Sequence, residues 1–179
     1  MLSAAPLSLP AAALDDAKNY LRVVGSDEDA LLARLMRSAA ELAERFTGRA
    51  LIAREFSQTL RVTPAWTRLG IAPVRAIAEV EAMAADGTTS PLPLGAYAVD
   101  IDAQGEGWVR VPLPGSAKRV RVTFEAGLAS EWQGLPEALR QGAVRLAAHL
   151  YTHRDDAAGA GPPAAVTALW RPWRRTRLR

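Results

Sequence analysis

The chain has 179 residues, 49% of them hydrophobic and 23% charged, with a formal net charge of +3. That is the length of one domain, or of one domain with an appendage, and an ordinary globular composition, so disordered and fibrous classes are excluded. There is no cysteine, which excludes disulfide scaffolds, thiolate zinc sites, iron–sulfur clusters and cysteine nucleophiles and fits a reducing compartment. No apolar run approaches the ~20 residues of a membrane span. The first cation is Lys18, so the opening segment lacks the basic start of a secretory signal.

Charge is placed unevenly. Residues 170–179 carry Arg171, Arg174, Arg175, Arg177 and Arg179 and no acid, leaving 17 cations against 19 anions elsewhere. The body is mildly acidic, and the tail holds the whole basic excess.

In chain order, the first ten residues read as an arm, followed by a short helix over 14–23 that Gly25-Ser26 ends. Ser26 followed by Asp27, Glu28 and Asp29 is a capping-box-like start for a second helix over 28–47. Leu31, Leu32, Leu35, Met36, Ala39, Leu42, Ala43 and Phe46 keep helical period along it, and Thr47-Gly48 stops it. The period then changes. Segments 56–62, 74–83, 97–101, 108–111 and 120–124 read as short strands divided by Gly and Pro, with Asp86-Gly87 as a hairpin signal. They predict a small antiparallel sheet over about 55–126. Helical period returns after Pro136, through Leu139, Ala143, Leu146, Ala147 and Leu150, to give a third helix over 136–154. Residues 155–163 (DDAAGAGPP) read as a linker. Beyond it Val166, Leu169, Trp170 and Trp173 recur at i, i+3, i+4 and i+7, with Pro172 limiting any helix to about two turns. The domain reading is 1–154 with an appended 155–179.

Candidate chemistry is sparse. His149 and His153 stand at i, i+4, as two zinc ligands could, but no Glu follows the first histidine as a metalloprotease base would; Asp155 or Asp156 is the only nearby third donor. Asp100 with Asp102, and Glu79 with Glu81, read as the solvated face of a sheet sooner than as paired acid–base groups. Walker, nucleophile-elbow and dinucleotide fingerprints are absent from the sequence, so no catalytic residue, no metal ligand and no cofactor is assigned. The tail is the unusual part. Two helical turns are marginal in water, so its tryptophans are expected to dock, either on a partner or on their own domain. Trp and Arg dominate interface hot spots, and an i, i+3, i+4, i+7 stripe suits a groove. The 25 residues from 155 to 179 span up to ~80 Å extended, against a radius near ~16 Å for the body. The five tail arginines suit an acidic partner or DNA phosphates.

The order of segments resembles the head–tail connector (adaptor) proteins of tailed phages and phage-like gene transfer agents. The matching pieces are Leu14-Asp15-Asp16-Ala17-Lys18-Asn19-Tyr20-Leu21-Arg22-Val23, then Asp27-Glu28-Asp29-Ala30-Leu31-Leu32 running on to Phe46-Thr47-Gly48-Arg49-Ala50-Leu51. Ala72-Pro73-Val74, Asp86-Gly87 and Thr123-Phe124-Glu125-Ala126-Gly127 follow. Leu135-Pro136-Glu137-Ala138-Leu139-Arg140 and His149-Leu150-Tyr151-Thr152-His153-Arg154 complete the series. The likeness spans most of Leu14 to Arg154 and rests on order and spacing.

This resemblance implies an α+β fold, a small helical bundle with an inserted antiparallel β-sheet, to which the reading of the tail adds an extended C-terminal arm. It implies a non-enzymatic adaptor of about twelve copies in a closed ring under the portal vertex of a virion or phage-like particle assembled in the bacterial cytoplasm. Partners would be the portal protein, a stopper or tail-completion protein, further copies of the chain and double-stranded DNA in the lumen, with no membrane. In that reading Val166, Leu169, Trp170 and Trp173 grip the portal, and the tail arginines meet DNA or an acidic partner. The rival reading is a cytoplasmic DNA-binding module that uses the basic tail.

Overall fold

In the computed structural model, residues 1–153 and 161–175 are described. The chain divides into two compact units, one of Met1–Pro6 with Ala53–Leu128 and one of Leu7–Ile52 with Ala129–Arg179. The architecture is α+β: among the described residues the first unit holds the strands and the second the α-helices. This partition differs from the expected boundary at 154, because the described C-terminal residues pack on helices instead of standing apart.

In the helical unit, α1 spans Ala11–Leu21, α2 Asp29–Thr47, α3 Glu137–Thr152 and α4 Ala164–Trp170. Helix α1 starts three residues earlier than its apolar period suggests, because Pro10 sits at the N-cap and alanines follow it. It ends where Arg22 turns left-handed (φ 58°). Lys18 Nζ then ties the exit loop together, donating to the Gly25 carbonyl and to Asp29 Oδ1 at 2.6 Å. Helix α2 buries Leu32, Met36, Ala39, Ala40 and Ala43 on one face, and Gly48 closes it at φ 69°, a conformation glycine adopts without strain. Just beyond, Glu44 Oε1 accepts the buried Leu51 N–H at 2.8 Å. Helix α3 follows Pro136 and buries Leu139, Ala143, Leu146 and Ala147. Trp132, in a short 3₁₀ turn before it, is fully buried and donates its indole N–H to Asp16 Oδ2 at 2.8 Å.

The other unit contains β1 (Leu2–Ala4), β2 (Arg54–Arg61), β3 (Thr67–Arg68), β4 (Val74–Met83), β5 (Thr89–Pro91), β6 (Ala98–Ile101), β7 (Gly107–Arg110) and β8 (Arg119–Ala126). They form two antiparallel sheets, β1-β2-β8-β4-β5 and β3-β7-β6, where the sequence suggested one. Strand β8 is the clearest: Val120, Val122, Phe124 and Ala126 alternate inward, and Phe124 stacks on Phe56 of β2 at 5.8 Å between ring centroids. The expected N-terminal arm instead pairs as an edge strand, Leu2 opposite Gln58 and Ala4 opposite Phe56. Pairings of two or three residues carry no periodicity of their own, which is why β1, β3 and β5 leave no trace in the pattern.

Candidate assembly interface

The C-terminal segment is built onto the helices from the inside outward. Pro163 caps α4, and Thr167 Oγ1 donates to the Ala164 carbonyl at 2.9 Å. Val166 and Trp170 are buried, 2% and 0% exposed. The Trp170 indole lies against α3 where residue 142 is glycine; a Cβ there would come within 2.1 Å of Trp170 Nε1. Its ring is 5.8 Å from that of Phe46 on α2, and its N–H points to the Leu139 carbonyl at 3.4 Å. Pro172 then turns the chain into one 3₁₀ turn, Arg171–Trp173. Two clamps close the end: Arg49 Nε donates to the Trp173 carbonyl at 3.0 Å, and the Arg175 N–H donates to the Thr47 carbonyl at 2.7 Å.

The expectation of a detached arm is therefore corrected for residues 161–175. The four tail side chains invoked as portal anchors fall into two groups. Val166 and Trp170 complete the core of their own unit, because an indole that loses all its water in a glycine-lined slot gains more than an isolated two-turn helix could hold. Leu169 and Trp173 are half-buried. Arg171 and Arg174 face solvent, and Arg175 is half-buried; Arg177 and Arg179 lie outside the described residues.

Around this end an open groove of about 730 Å³ is lined by Arg45, Phe46, Thr47, Gly48, Arg171, Pro172, Arg174 and Arg175. Arg174 lies over the Phe46 ring at 5.2 Å, and Arg45 keeps a loose, exposed pair with Glu41 at 3.7 Å. These cations gather at the C-terminus of α2, whose free carbonyls favour positive charge. Arg45 joins the cluster through tertiary folding alone, and no local motif announces it.

The other sequence candidates resolve into structural roles. His149 and His153 lie tilted against each other with ring centroids 4.2 Å apart, and His153 Nδ1 lies 3.0 Å from the His149 carbonyl at the end of α3. Asp155 and Asp156 lie outside the described residues, and among the described residues no three acids or histidines gather as metal ligands would. Asp102 organises a turn, accepting the Gln104 N–H (3.0 Å), the Glu106 N–H (2.9 Å) and the Trp108 indole N–H (3.0 Å). The Trp108 bond foremost, then the backbone N–H bonds, hold its carboxyl below the usual carboxylate value. Asp100 faces solvent on β6, while Glu79 and Glu81 stand opposite Thr123 and Arg121 on β8. Among the described residues no helix is long and apolar enough to cross a membrane.

Sequence reading missed the exposed apolar residues. Leu94 (86% exposed) opens a 3₁₀ turn and Leu113 (66%) projects from a loop, each flanked by proline or glycine. That flanking is the available signal, since a leucine fenced by Pro and Gly belongs to neither sheet nor helix stripe. On the helical unit, Tyr20 and Val24 are likewise exposed.

Apolar loop tips, an arginine-lined groove and a helical unit interrupted by a sheet unit define a structural assembly module. The sequence profile of the Phage gp6-like head-tail connector protein family matches residues 11–78. Solved structures extend the match over the full length. A chain in the neck of an empty GTA particle computed with C6 symmetry has a TM-score of 0.82 at 28% identity. A chain in the virion of a native gene transfer agent (GTA) particle gives 0.78 at 28%, and one in the neck of a native GTA particle computed with C12 symmetry gives 0.77 at 30%. Each alignment covers 100% of this chain and 97% of the other. No curated protein matches. The chain belongs to the head–tail connector family.

Proposed function

We propose that this protein is the adaptor of a phage-like particle neck, a ring-forming structural subunit that joins the portal vertex of the head to the stopper or tail-completion protein. The observation that carries the reading is the end-to-end likeness to neck chains of GTA particles, including one from a neck computed with C12 symmetry. A ring of about twelve copies around a channel passing double-stranded DNA is its natural arrangement. Such a protein works by geometry and buried area, so it needs no catalytic centre, cofactor or metal.

Portal contact belongs, in this proposal, to the outer side of the C-terminal segment. With Val166 and Trp170 occupied inside their own unit, Leu169, Trp173, Arg171 and Arg174 are the side chains left to meet a partner, with Arg175 beside them. The half-buried tryptophan with flanking arginines has the composition of an interface hot spot. The test is a Trp173→Ala/Arg171→Ala/Arg174→Ala variant, produced in cells that assemble particles and checked for an unchanged melting temperature. Heads lacking attached necks support the proposal, whereas normal neck occupancy and tail joining refute the portal-contact assignment. Side-chain-resolution imaging of the intact neck decides the ring reading itself.

A further inference from the structure

One end of the five-stranded sheet concentrates cations without neutralising them. Arg61 of β2 stands directly opposite Arg119 of β8, and Lys118 precedes Arg119, its carbonyl accepting the Val62 N–H at 3.1 Å. All three side chains are exposed. Like charges directly opposite each other on a sheet destabilise it, so this arrangement costs the fold something that an unlike pair would not. Of the nearby acids, Glu81 stands opposite Arg121, two residues further along β8. Asp86, at the tip of the β4–β5 hairpin, accepts the Thr88 N–H at 3.0 Å and the Thr88 hydroxyl at 2.7 Å. Lys118 is also one of only two lysines, and the other, Lys18, is held by Asp29.

Two shallow grooves flank this cluster. One, about 530 Å³, is lined by Arg61, Val62, Ala117, Lys118 and Arg119. The other, about 740 Å³, runs between the β4–β5 hairpin and the 116–119 loop and adds the polar residues Thr88, Thr89, Ser90 and Ser116. No carboxylate lines either groove, and the only large apolar side chains are Val62 and Met83.

We propose that this end of the sheet unit is a binding surface for the phosphate backbone of double-stranded DNA, formed by Arg61, Lys118 and Arg119 with the hydroxyls of Ser116 and Thr88–Ser90. Cations mixed with small hydroxyl and amide donors are the chemistry that contacts phosphates without reading bases. A protein partner of acidic character fits less well, because the surface lacks the aromatic or aliphatic anchors on which protein interfaces depend. The surface belongs to the sheet unit, whereas Arg171, Arg174 and Arg175 belong to the helical unit. The supply of DNA rests on the neck reading, whereas the chemistry of the patch does not.

Anisotropy of labelled short duplex DNA with the purified full-length chain, across a salt series, tests it. Replacing Arg61, Lys118 and Arg119 together by alanine should lower the log–log salt slope by ~2.7 per bound subunit, three phosphates at ~0.9 each. An Arg61→Lys/Arg119→Lys variant should keep the slope, because it keeps the charges. An unchanged slope in the triple variant overturns the proposal, and so does an equal loss in the lysine variant. Triple-variant chains that bind DNA normally yet fail to join heads also overturn it, by assigning the patch to a protein partner. Light scattering on the same samples reports ring formation separately. Chains that form no ring but lose DNA with the triple substitution leave the patch standing while the ring reading falls.

Discussion

Replacing Gly142 by alanine inverts an ordinary rule. At a solvent-facing helix position this change stabilises by about 0.5–1 kcal/mol, because glycine has more backbone freedom to lose. At 142 the new methyl would lie 2.1 Å from Trp170 Nε1 and 2.8 Å from both Cδ1 and Cε2. If the indole slips aside, overpacking of about 1–3 kcal/mol outweighs the propensity gain and leaves a net loss near 1–2 kcal/mol. If the indole leaves its slot, ~150–250 Å² of apolar surface returns to water, about 4–6 kcal/mol gross and 3–5 net. Urea denaturation followed by far-ultraviolet circular dichroism measures the change. The same substitution in a Trp170→Ala background should revert to a gain of about 0.5–1 kcal/mol, because the clash is gone. A stabilised Gly142→Ala single variant, or the same shift in both backgrounds, would refute the docked position of the C-terminal segment.

Glu44→Ala strips the buried Leu51 N–H of its acceptor and should cost about 1–3 kcal/mol in the denaturation midpoint, with Glu44→Gln recovering most of it. Trp132→Phe removes the donor to Asp16 and puts a smaller ring in a fully buried site; a loss of about 2–3 kcal/mol is expected, ~1 from the bond to a partly exposed carboxylate and the rest from the space left behind. The Asp102 carboxyl titrates below its ordinary value of 3.8, so its contribution is present above that value and fades as pH falls through the lower folded-state value. Acid titration of the Trp108 indole resonance should follow this loss, and Asp102→Asn should remove the dependence. Asp86 titrates in the same direction for the same reason, through its bonds from Thr88.

What the sequence could show follows how local each cause is. Helix α2 is legible to within a residue because its apolar stripe and its terminating glycine are contiguous; the capping box expected at Ser26 is not what starts it, since the N-cap is Glu28 with no side-chain cap hydrogen bond. Strand β8 is legible because both inward-facing and outward-facing positions alternate without a break. The position of Trp170 is a different matter. The i, i+3, i+4, i+7 stripe correctly marks Val166 and Trp170 as residues that need cover, but a stripe cannot say whose surface supplies it. The answer lies in Gly142 and Phe46, 28 and 124 positions away, and Gly142 alone looks like a weak point in a helix. The same holds for Asp102. Alternation places it with Asp100 on an acidic sheet face, whereas the strand ends at Ile101 and the carboxylate bends inward to close a turn.

Because the Trp170 indole fills the slot at Gly142 and lies beside Phe46, α4 cannot lift away without baring both α3 and α2. Opening of the C-terminal segment and loosening of the two long helices are thereby tied into one event, which amide hydrogen exchange along the three helices would report as a shared opening.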